Sequence, residues 1–240
     1  MTGFELHRTF TRDGRVPGSL ATGLHPPPPE TARRLVNLVV AGAGLLLAGP
    51  VMVVVAALIK LTSRGPVLYS QTRIGIDRRV PGEVSVNHRR LEDCGGKPFT
   101  IYKFRTMNGG TSNGNAQVWA TKDDPRITPV GRVLRKYRLD ELPQFFNVLR
   151  GDMNVVGPRP EQPAIFAQLR AQVPGYQERQ RVPPGITGWA QVNQRYDTSL
   201  DDVRRKVELD LEYVARQSVL EDLKILVRTV PVVLLRKGGW

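Results

Sequence analysis

Two adjacent carboxylates, Asp140 and Glu141, are the side chains of this sequence that best fit a catalytic pair. Apolar residues follow them at helical spacing, so both stand near the start of a predicted helix that Gly151 ends. In such a position one carboxylate can attack phosphorus while the other holds a divalent cation. The same residues also suit a structural role, with Asp140 as the N-cap and Glu141 as a first-turn acid. The residue types alone favour that structural interpretation.

Three basic residues could provide the complementary positive charge. Lys103, Arg105 and Arg159 could each clamp the oxygens of a phosphate group. Arg159 lies between Pro158 and Pro160, so its backbone is already restricted and loses little conformational entropy on binding. A structural ion pair is the alternative role for Arg159, and its residue type alone favours that role.

The composition excludes several common kinds of active site. Of the three histidines, His7, His25 and His88, none follows residue 88, so a Ser-His-Asp or Cys-His mechanism is not expected. A base or nucleophile in the C-terminal half must then be a carboxylate, lysine, tyrosine or hydroxyl. The single cysteine, Cys94, excludes an internal disulfide and a multi-cysteine zinc site.

Short strands and amphipathic helices must position these side chains. Apolar and β-branched residues predict strands at 67–71 and 98–104, with a polar loop at 76–95 between them. Helical spacing predicts a basic helical turn at 132–138 and a longer amphipathic helix at 200–216.

A last amphipathic helix is predicted at 220–235, with Pro231 inside it. Its apolar face could pack on the body of the protein or lie on lipid, and packing is favoured. This face consists of Leu223, Leu226, Val227 and Val230.

The 25 residues from Leu35 to Ile59 carry no formal charge. As a helix they would be roughly 37 Å long, enough to cross a hydrocarbon core of about 30 Å. Pro50 removes a backbone hydrogen bond and is expected to kink this helix. Basic residues such as Arg33 and Lys60 flank both ends, and the positive-inside rule keeps such ends on one side. A helix that enters one leaflet, bends and returns is therefore favoured over a straight span.

The formal net charge of +13 requires a polyanionic neighbour. Nucleic acid, an anionic membrane surface and phosphate-bearing substrates all meet this requirement. Aromatic residues make up only 7% of the chain, which leaves few stacking platforms among the basic residues and argues against nucleic acid.

Five unusually dense segments carry a resemblance to a known family. They are Tyr102-Lys-Phe-Arg-Thr-Met, Leu139-Asp-Glu-Leu-Pro-Gln, Asn147-Val-Leu-Arg-Gly-Asp-Met, Val156-Gly-Pro-Arg-Pro-Glu and Pro184-Gly-Ile-Thr-Gly-Trp-Ala-Gln-Val-Asn. With the preceding apolar run, they closely resemble the bacterial sugar transferase family, the monotopic polyprenyl-phosphate phosphoglycosyl transferases. The similarity extends from about residue 33 to about residue 235 and is closest to the short, catalytic-core form. The family usually has only a few residues where this chain has the 76–95 loop.

The resemblance implies a reaction and roles for the candidate residues. Asp140 would be the nucleophile that forms a covalent aspartyl phospho-sugar and releases UMP. Glu141 would be a metal ligand, with Mg²⁺ as the cofactor, and Arg159 would contact substrate phosphates. The implied substrates are a UDP-sugar and polyprenyl phosphate, typically undecaprenyl phosphate. The implied location is the cytoplasmic face of the bacterial inner membrane, where the helix re-enters the inner leaflet.

The sequence therefore predicts an α+β fold with a helix-rich single catalytic domain, short strands and an N-terminal re-entrant, kinked membrane helix. The expected organisation is a flexible Pro-rich tail at 1–30, the membrane helix at 31–61 and a cytoplasmic sugar-phosphate transferase domain at 62–240. The expected partners are the two substrates and the membrane, without nucleic acid. The alternative is a membrane-tethered basic nucleic-acid-binding or scaffolding protein, which leaves the paired acids and the prolines around Arg159 unexplained.

Overall fold

The structure is a computed structural model that describes residues 30–78, 93–108, 124–194 and 199–234. The predicted tail, apart from its last residue, and the middle of the predicted 76–95 loop lie outside these ranges. Helices dominate the described residues, and the strands are short, which confirms the α+β prediction. The helices are α1 (Glu30–Thr62), α2 (Pro129–Lys136), α3 (Gln144–Arg150), α4 (Pro163–Gln172), α5 (Trp189–Asn193), α6 (Leu200–Arg216) and α7 (Val219–Leu234).

The strands form two separate two-stranded sheets. β1 (Leu68–Ile74) pairs antiparallel with β2 (Pro98–Phe104), in a register that places Leu68 opposite Phe104. Buried Phe99 and Ile101 alternate with exposed residues along β2, which is the period-2 pattern that predicted this strand. β1 begins and ends slightly later than predicted.

β3 (Asn154–Val156) pairs in parallel with β4 (Gly185–Thr187). Glycine permits this pairing because the two backbones approach very closely. A Cβ atom on Gly157 would lie 2.4 Å from the carbonyl oxygen of Pro183, and one on Gly185 would lie 2.1 Å from the amide nitrogen of Gly157. No larger residue fits at either position, so these glycines place the Pro158–Pro160 segment directly beside β4.

Helix α1 contains 33 residues and is about 50 Å long. By length and composition it could cross a membrane, with a mean hydropathy of 2.5 in its most apolar window. One stripe, which includes Ala41, Val55 and Ile59, is buried against the body, whereas the opposite face is exposed. The helix runs as one element through Pro50, and the bend at Pro50 stays a prediction.

The N-terminal end of α1 is bonded to the body through buried polar side chains. Arg33 Nε donates to Asp222 Oδ2 at 3.1 Å, and Arg33 Nη2 donates to Tyr213 OH at 2.6 Å. One turn later, Asn37 Oδ1 accepts a hydrogen bond of 2.6 Å from the amide of Val155. Asn37 and Arg33 interrupt the apolar helix because the body provides their hydrogen-bond partners.

The C-terminal end of α1 is bonded to the same body. Arg105, just after β2, donates from Nη2 to the carbonyl oxygen of Ser63 at 3.0 Å and to its hydroxyl at 2.8 Å. A cation beside the carbonyl end of a helix is also favoured by the helix dipole. Both ends of the long apolar helix therefore rest on one polar domain.

Helix α7 buries a different face from the one that the sequence predicted. Ile225 is fully buried, but Leu223, Val227 and Val230 are 45%, 72% and 56% exposed. The prediction that these three pack on the body is wrong. The buried stripe includes Asp222, and the half-buried Thr229 lies on the same side; their hydrogen-bond partners in the body offset the cost of burying them.

Two glycines of α1 test how closely this helix packs on α3. A Cβ atom on Gly44 would lie 2.9 Å from the ring of Phe145, whereas one on Gly42 would meet nothing within 4 Å. Gly42→Ala should stabilise the protein by about 0.5–1 kcal/mol, since alanine favours the helix. Gly44→Ala should lose that gain or destabilise, because the Phe145 ring must move. Unfolding of both variants in detergent micelles measures the difference, and equal gains would contradict the packing of α1 on α3.

Candidate active site

The turn that contains the two acids differs from the predicted helix start. A 3₁₀ turn spans Leu139–Glu141, after Arg138 in the left-handed region with φ 54°. Pro143, which has no N–H to donate, separates this turn from α3, whose N-cap is Pro143 itself with no side-chain cap. The prediction of Asp140 as an N-cap is therefore wrong. Gly151 does end α3, in the left-handed region with φ 84°, as predicted.

Glu141 is the centre of a buried ion-pair cluster. Its Oε1 accepts hydrogen bonds from Lys103 Nζ at 2.9 Å and from Arg159 Nη2 at 2.6 Å. Arg138 Nη1 lies 3.7 Å from its Oε2. Burial alone would raise the pKa of Glu141, but the charges of Arg159, Lys103 and Arg138 outweigh burial and hold this pKa well below its ordinary value. Glu141 is therefore ionised, and both of its carboxylate oxygens face cationic side chains.

The pKa of Asp140 is shifted in the opposite direction from that of Glu141. Within the described part of the chain, the half-buried carboxylate of Asp140 has neither a hydrogen bond nor an ion pair, although Lys103 and Arg159 are near enough to act on it. Burial raises the pKa of Asp140 above its ordinary value, Lys103 opposes that shift, and the negative charge of Glu141 adds to it. Adjacent acids thus differ in role: one neutralises the cations, and the other keeps its oxygens open to a ligand.

Two of the three predicted phosphate-binding cations meet at this cluster. Lys103 reaches it from β2 and Arg159 from the segment between β3 and α4. Burial lowers the pKa of Lys103, and the nearby charge of Glu141 opposes that effect. Arg105 does not join them, because its guanidinium lies on the carbonyls after α1. A phosphate contact from Arg105 stays a prediction.

The backbone around Arg159 is held by two further arginines. Arg179 Nη2 donates to the carbonyl oxygen of Arg159 at 3.2 Å, and Arg73 Nη1 donates to that of Pro160 at 3.1 Å. Together with the prolines, these bonds set the direction of Arg159 before any ligand arrives. Neither residue was among the sequence candidates, since isolated arginines carry no signal that distinguishes buried from solvated ones.

Arg179 is completely buried in a network of its own. Its guanidinium lies 2.6 Å from Asp210 Oδ2 and donates to Tyr176 OH at 2.8 Å. Glu161 Oε1 lies 3.9 Å from Arg179 Nη1 and 2.8 Å from Lys206 Nζ. Burial alone would raise the pKa of Glu161, but the charges of Lys206 and Arg179 lower it to about 2. This network lies directly behind the Arg159 segment and supports it.

The residues present do not fit a Mg²⁺ ion held directly by Glu141. Both of its oxygens already face cationic side chains, and a divalent ion would have to displace at least one of them. Among the described residues there is also no group of three or more acidic, histidine or cysteine side chains placed to hold a metal. The Mg²⁺ expectation therefore stays a prediction, and Asp140 has the more accessible carboxylate.

Comparison with known proteins identifies a matching family and similar sequences. Residues 29–236 match the model of the bacterial sugar transferase family. The chain is 44% identical over 200 residues to the UDP-glucose:undecaprenyl-phosphate glucose-1-phosphate transferase of Escherichia coli K12, covering 82% of this chain and 39% of that protein. It is 41% identical over 207 residues to the UDP-N-acetylgalactosamine-undecaprenyl-phosphate N-acetylgalactosaminephosphotransferase of Aeromonas hydrophila, covering 86% and 44%.

A shorter relative is covered more completely. The UDP-glucose:undecaprenyl-phosphate glucose-1-phosphate transferase of Caulobacter vibrioides is 38% identical over 213 residues, which are 88% of this chain and 73% of that protein. The chain thus spans less than half the length of the two relatives above and about three quarters of this one. The match to the family model includes all the residues of the ion-pair cluster.

The buried network behind Arg159 gives a stability prediction. Arg179→Met should cost about 3–5 kcal/mol of unfolding free energy, because it leaves Asp210 charged and buried without its main partner. Adding Asp210→Asn should recover more than half of that loss, since the uncompensated charge is removed. Arg181→Met, on the same 3₁₀ turn (Tyr176–Arg181) but in a partly exposed pair with Glu178, should cost markedly less, because solvent screens that pair. Denaturant unfolding checks all three, and equal costs for Arg179→Met and Arg181→Met would be inconsistent with this account.

Proposed function

Because this chain belongs to the bacterial sugar transferase family, we propose that it transfers a sugar 1-phosphate from a UDP-sugar to a polyprenyl phosphate such as undecaprenyl phosphate. The products are a polyprenyl-diphosphate sugar and UMP, and the reaction is a membrane step in exopolysaccharide or glycoconjugate synthesis. The names of the relatives support this reaction type. The observation that carries the proposal is the contrast between the ion-paired Glu141 and the unpaired Asp140.

In the first step, a carboxylate oxygen of Asp140 attacks the phosphorus that bears the sugar. A new oxygen–phosphorus bond forms, and the bond from that phosphorus to the bridging oxygen of the diphosphate breaks. UMP leaves with the bridging oxygen and its electron pair, and the sugar phosphate remains as an acyl phosphate on Asp140. Lys103 and Arg159 lie beside Asp140 and can stabilise the negative charge that develops on the phosphoryl oxygens.

In the second step, an oxygen of the polyprenyl phosphate attacks the same phosphorus. The acyl phosphate bond breaks, Asp140 regains its carboxylate, and the new diphosphate links the polyprenol to the sugar. Glu141 keeps Lys103 and Arg159 in place through both steps, because it neutralises part of the charge of these partly buried side chains. It acts here as a positioning residue.

Mg²⁺ is the cofactor that we propose on the basis of the family resemblance. Mg²⁺ in proteins is commonly bound by one or two carboxylates together with substrate phosphates. The open oxygens of Asp140 and those of the donor diphosphate fit this pattern better than Glu141 does.

We also propose that both ends of α1 lie on the cytoplasmic side of the inner membrane. The support is that Arg33 at one end and Ser63 after the other are bonded to one polar body, which cannot lie within lipid. The exposed apolar faces of α1 and α7 would then contact the inner leaflet, and the basic charge would favour its anionic surface.

Labelling of single cysteines tests this topology. In a Cys94→Ser background, Thr31→Cys and Thr62→Cys mark the two ends of α1, and Arg205→Cys on α6 marks the exposed surface of the body. In oriented membrane vesicles a membrane-impermeant thiol reagent should label all three from the same, cytoplasmic side. Labelling of the two ends from opposite sides would mean that α1 spans the membrane and would contradict the proposal.

Separate substitutions of the two acids test the mechanism. Asp140→Asn should lower UMP release from UDP-sugar by at least about 10³-fold, because the amide cannot act as the nucleophile. Its stability should change by less than about 0.5 kcal/mol, since no hydrogen bond or ion pair of Asp140 is lost in the described part of the chain.

Glu141→Gln is the matched variant. It should cost about 3 kcal/mol of stability, because it leaves partly buried Lys103 and Arg159 without their counter-ion. Single-turnover UMP release in the protein that folds should be slower than in the wild type, since the two cations are no longer held in place, but it should not be lost as in Asp140→Asn. Nearly intact turnover in Asp140→Asn would remove the covalent mechanism.

A further inference from the structure

A mostly apolar pocket opens beside the ion-pair cluster. Its volume is about 240 Å³, and it lies between the 3₁₀ turn of the acids and α3 on one side and β4, α5 and α7 on the other. Arg138 and Glu141 contribute to its lining, but most of its surface is apolar. We call it the side pocket, and its apolar walls include Leu142, Phe145, Ile186, Val192 and Val233.

The side pocket adjoins the membrane-facing elements of the molecule. Phe145, which forms one wall, also lies against the middle of α1, where its ring would be only 2.9 Å from a Cβ atom on Gly44. Val233 of α7 forms another wall, and the same helix exposes Val227 and Val230, which do not line the pocket. An apolar occupant could therefore reach this pocket from lipid, while its polar end would meet the charged cluster.

We propose that the side pocket binds the isoprene units next to the phosphate of the polyprenyl acceptor. This inference rests on the proposed function. An apolar cavity of about 150 Å³ takes up benzene, so the side pocket has room for about one or two isoprene units. The acceptor phosphate would then lie at the end of the pocket where Arg138 contributes to the lining, on the turn that also bears Asp140.

The few polar groups of the side pocket fit this occupant better than a nucleoside. The hydroxyls of Thr187 and Thr229 are bonded to each other at 2.8 Å, and Gln191 Nε2 donates to the carbonyl oxygen of Ile186 at 3.0 Å. Gln191 Oε1 is a buried acceptor without a hydrogen-bond partner in the described part of the chain, and it is one polar atom in a mostly apolar lining. One such acceptor is too few to recognise a uracil or a sugar in an otherwise apolar site.

Filling the pocket tests the proposal. Val233→Phe should weaken the binding of radiolabelled undecaprenyl phosphate to the detergent-solubilised protein, and raise its KM, by about tenfold or more. Val230→Phe is the matched control, because it makes the same change on the same helix at an exposed position outside the pocket. Val230→Phe should leave the affinity for undecaprenyl phosphate and its KM within about twofold of the wild-type values. Val192→Phe, on the opposite wall, should act like Val233→Phe and serves if that variant does not fold.

Measuring the two steps of the reaction separately distinguishes failure of the pocket assignment from failure of the proposed function. UMP release without acceptor should be unchanged in Val233→Phe, since the donor does not use the pocket. Unchanged binding of undecaprenyl phosphate would overturn the proposal, and so would a raised KM for UDP-sugar, because the pocket would then belong to the donor. If the wild-type protein binds undecaprenyl phosphate in a Val233-dependent way but transfers no sugar phosphate, the proposed function fails and the pocket assignment stands.

Discussion

The candidate site depends on the ion pairs that Glu141 makes with Lys103 and Arg159. These residues come from three distant parts of the chain: a 3₁₀ turn, a strand and a proline-bounded segment. Buried cations are costly without a counter-ion, so Glu141 allows both to remain beside Asp140 in a partly buried site. As a result, the carboxylate of Glu141 is held in ion pairs, whereas that of its neighbour Asp140 stays available to a ligand. Phosphoryl transfer needs both features: positive charge for the phosphates and a free nucleophile.

The long apolar helix is integrated into the same arrangement. Its polar residues Arg33 and Asn37 are satisfied by α6, α7 and β3, and its glycine at position 44 lets Phe145 of α3 approach. α3 directly follows the turn that bears the acids. The apolar helix and the turn that bears the acids are therefore linked by a few side chains.

Local periodicity predicted much of the fold, and long-range partners account for what it missed. The strand at 98–104 and the helix at 200–216 match because each has a complete hydrophobic pattern of its own. Asp140 was misassigned as a cap because the sequence did not indicate that Pro143 separates a 3₁₀ turn from α3. The buried face of α7 was misassigned because Asp222 is buried only by virtue of Arg33 and Tyr213, far away in sequence. The residue types identified the acidic and basic candidates, but they did not indicate which acid would form ion pairs with which cation.

The central claim is that Asp140, and not Glu141, carries the transferred group. The most direct measurement is to incubate the detergent-solubilised protein with UDP-sugar alone, quench with acid, digest it and locate the added mass by peptide fragmentation. A sugar phosphate is expected on the peptide that contains both acids, and the fragments should assign it to Asp140. The adduct should be lost when undecaprenyl phosphate is added before quenching. An adduct on Glu141, or UMP release in the complete reaction without any adduct on the protein, would contradict it.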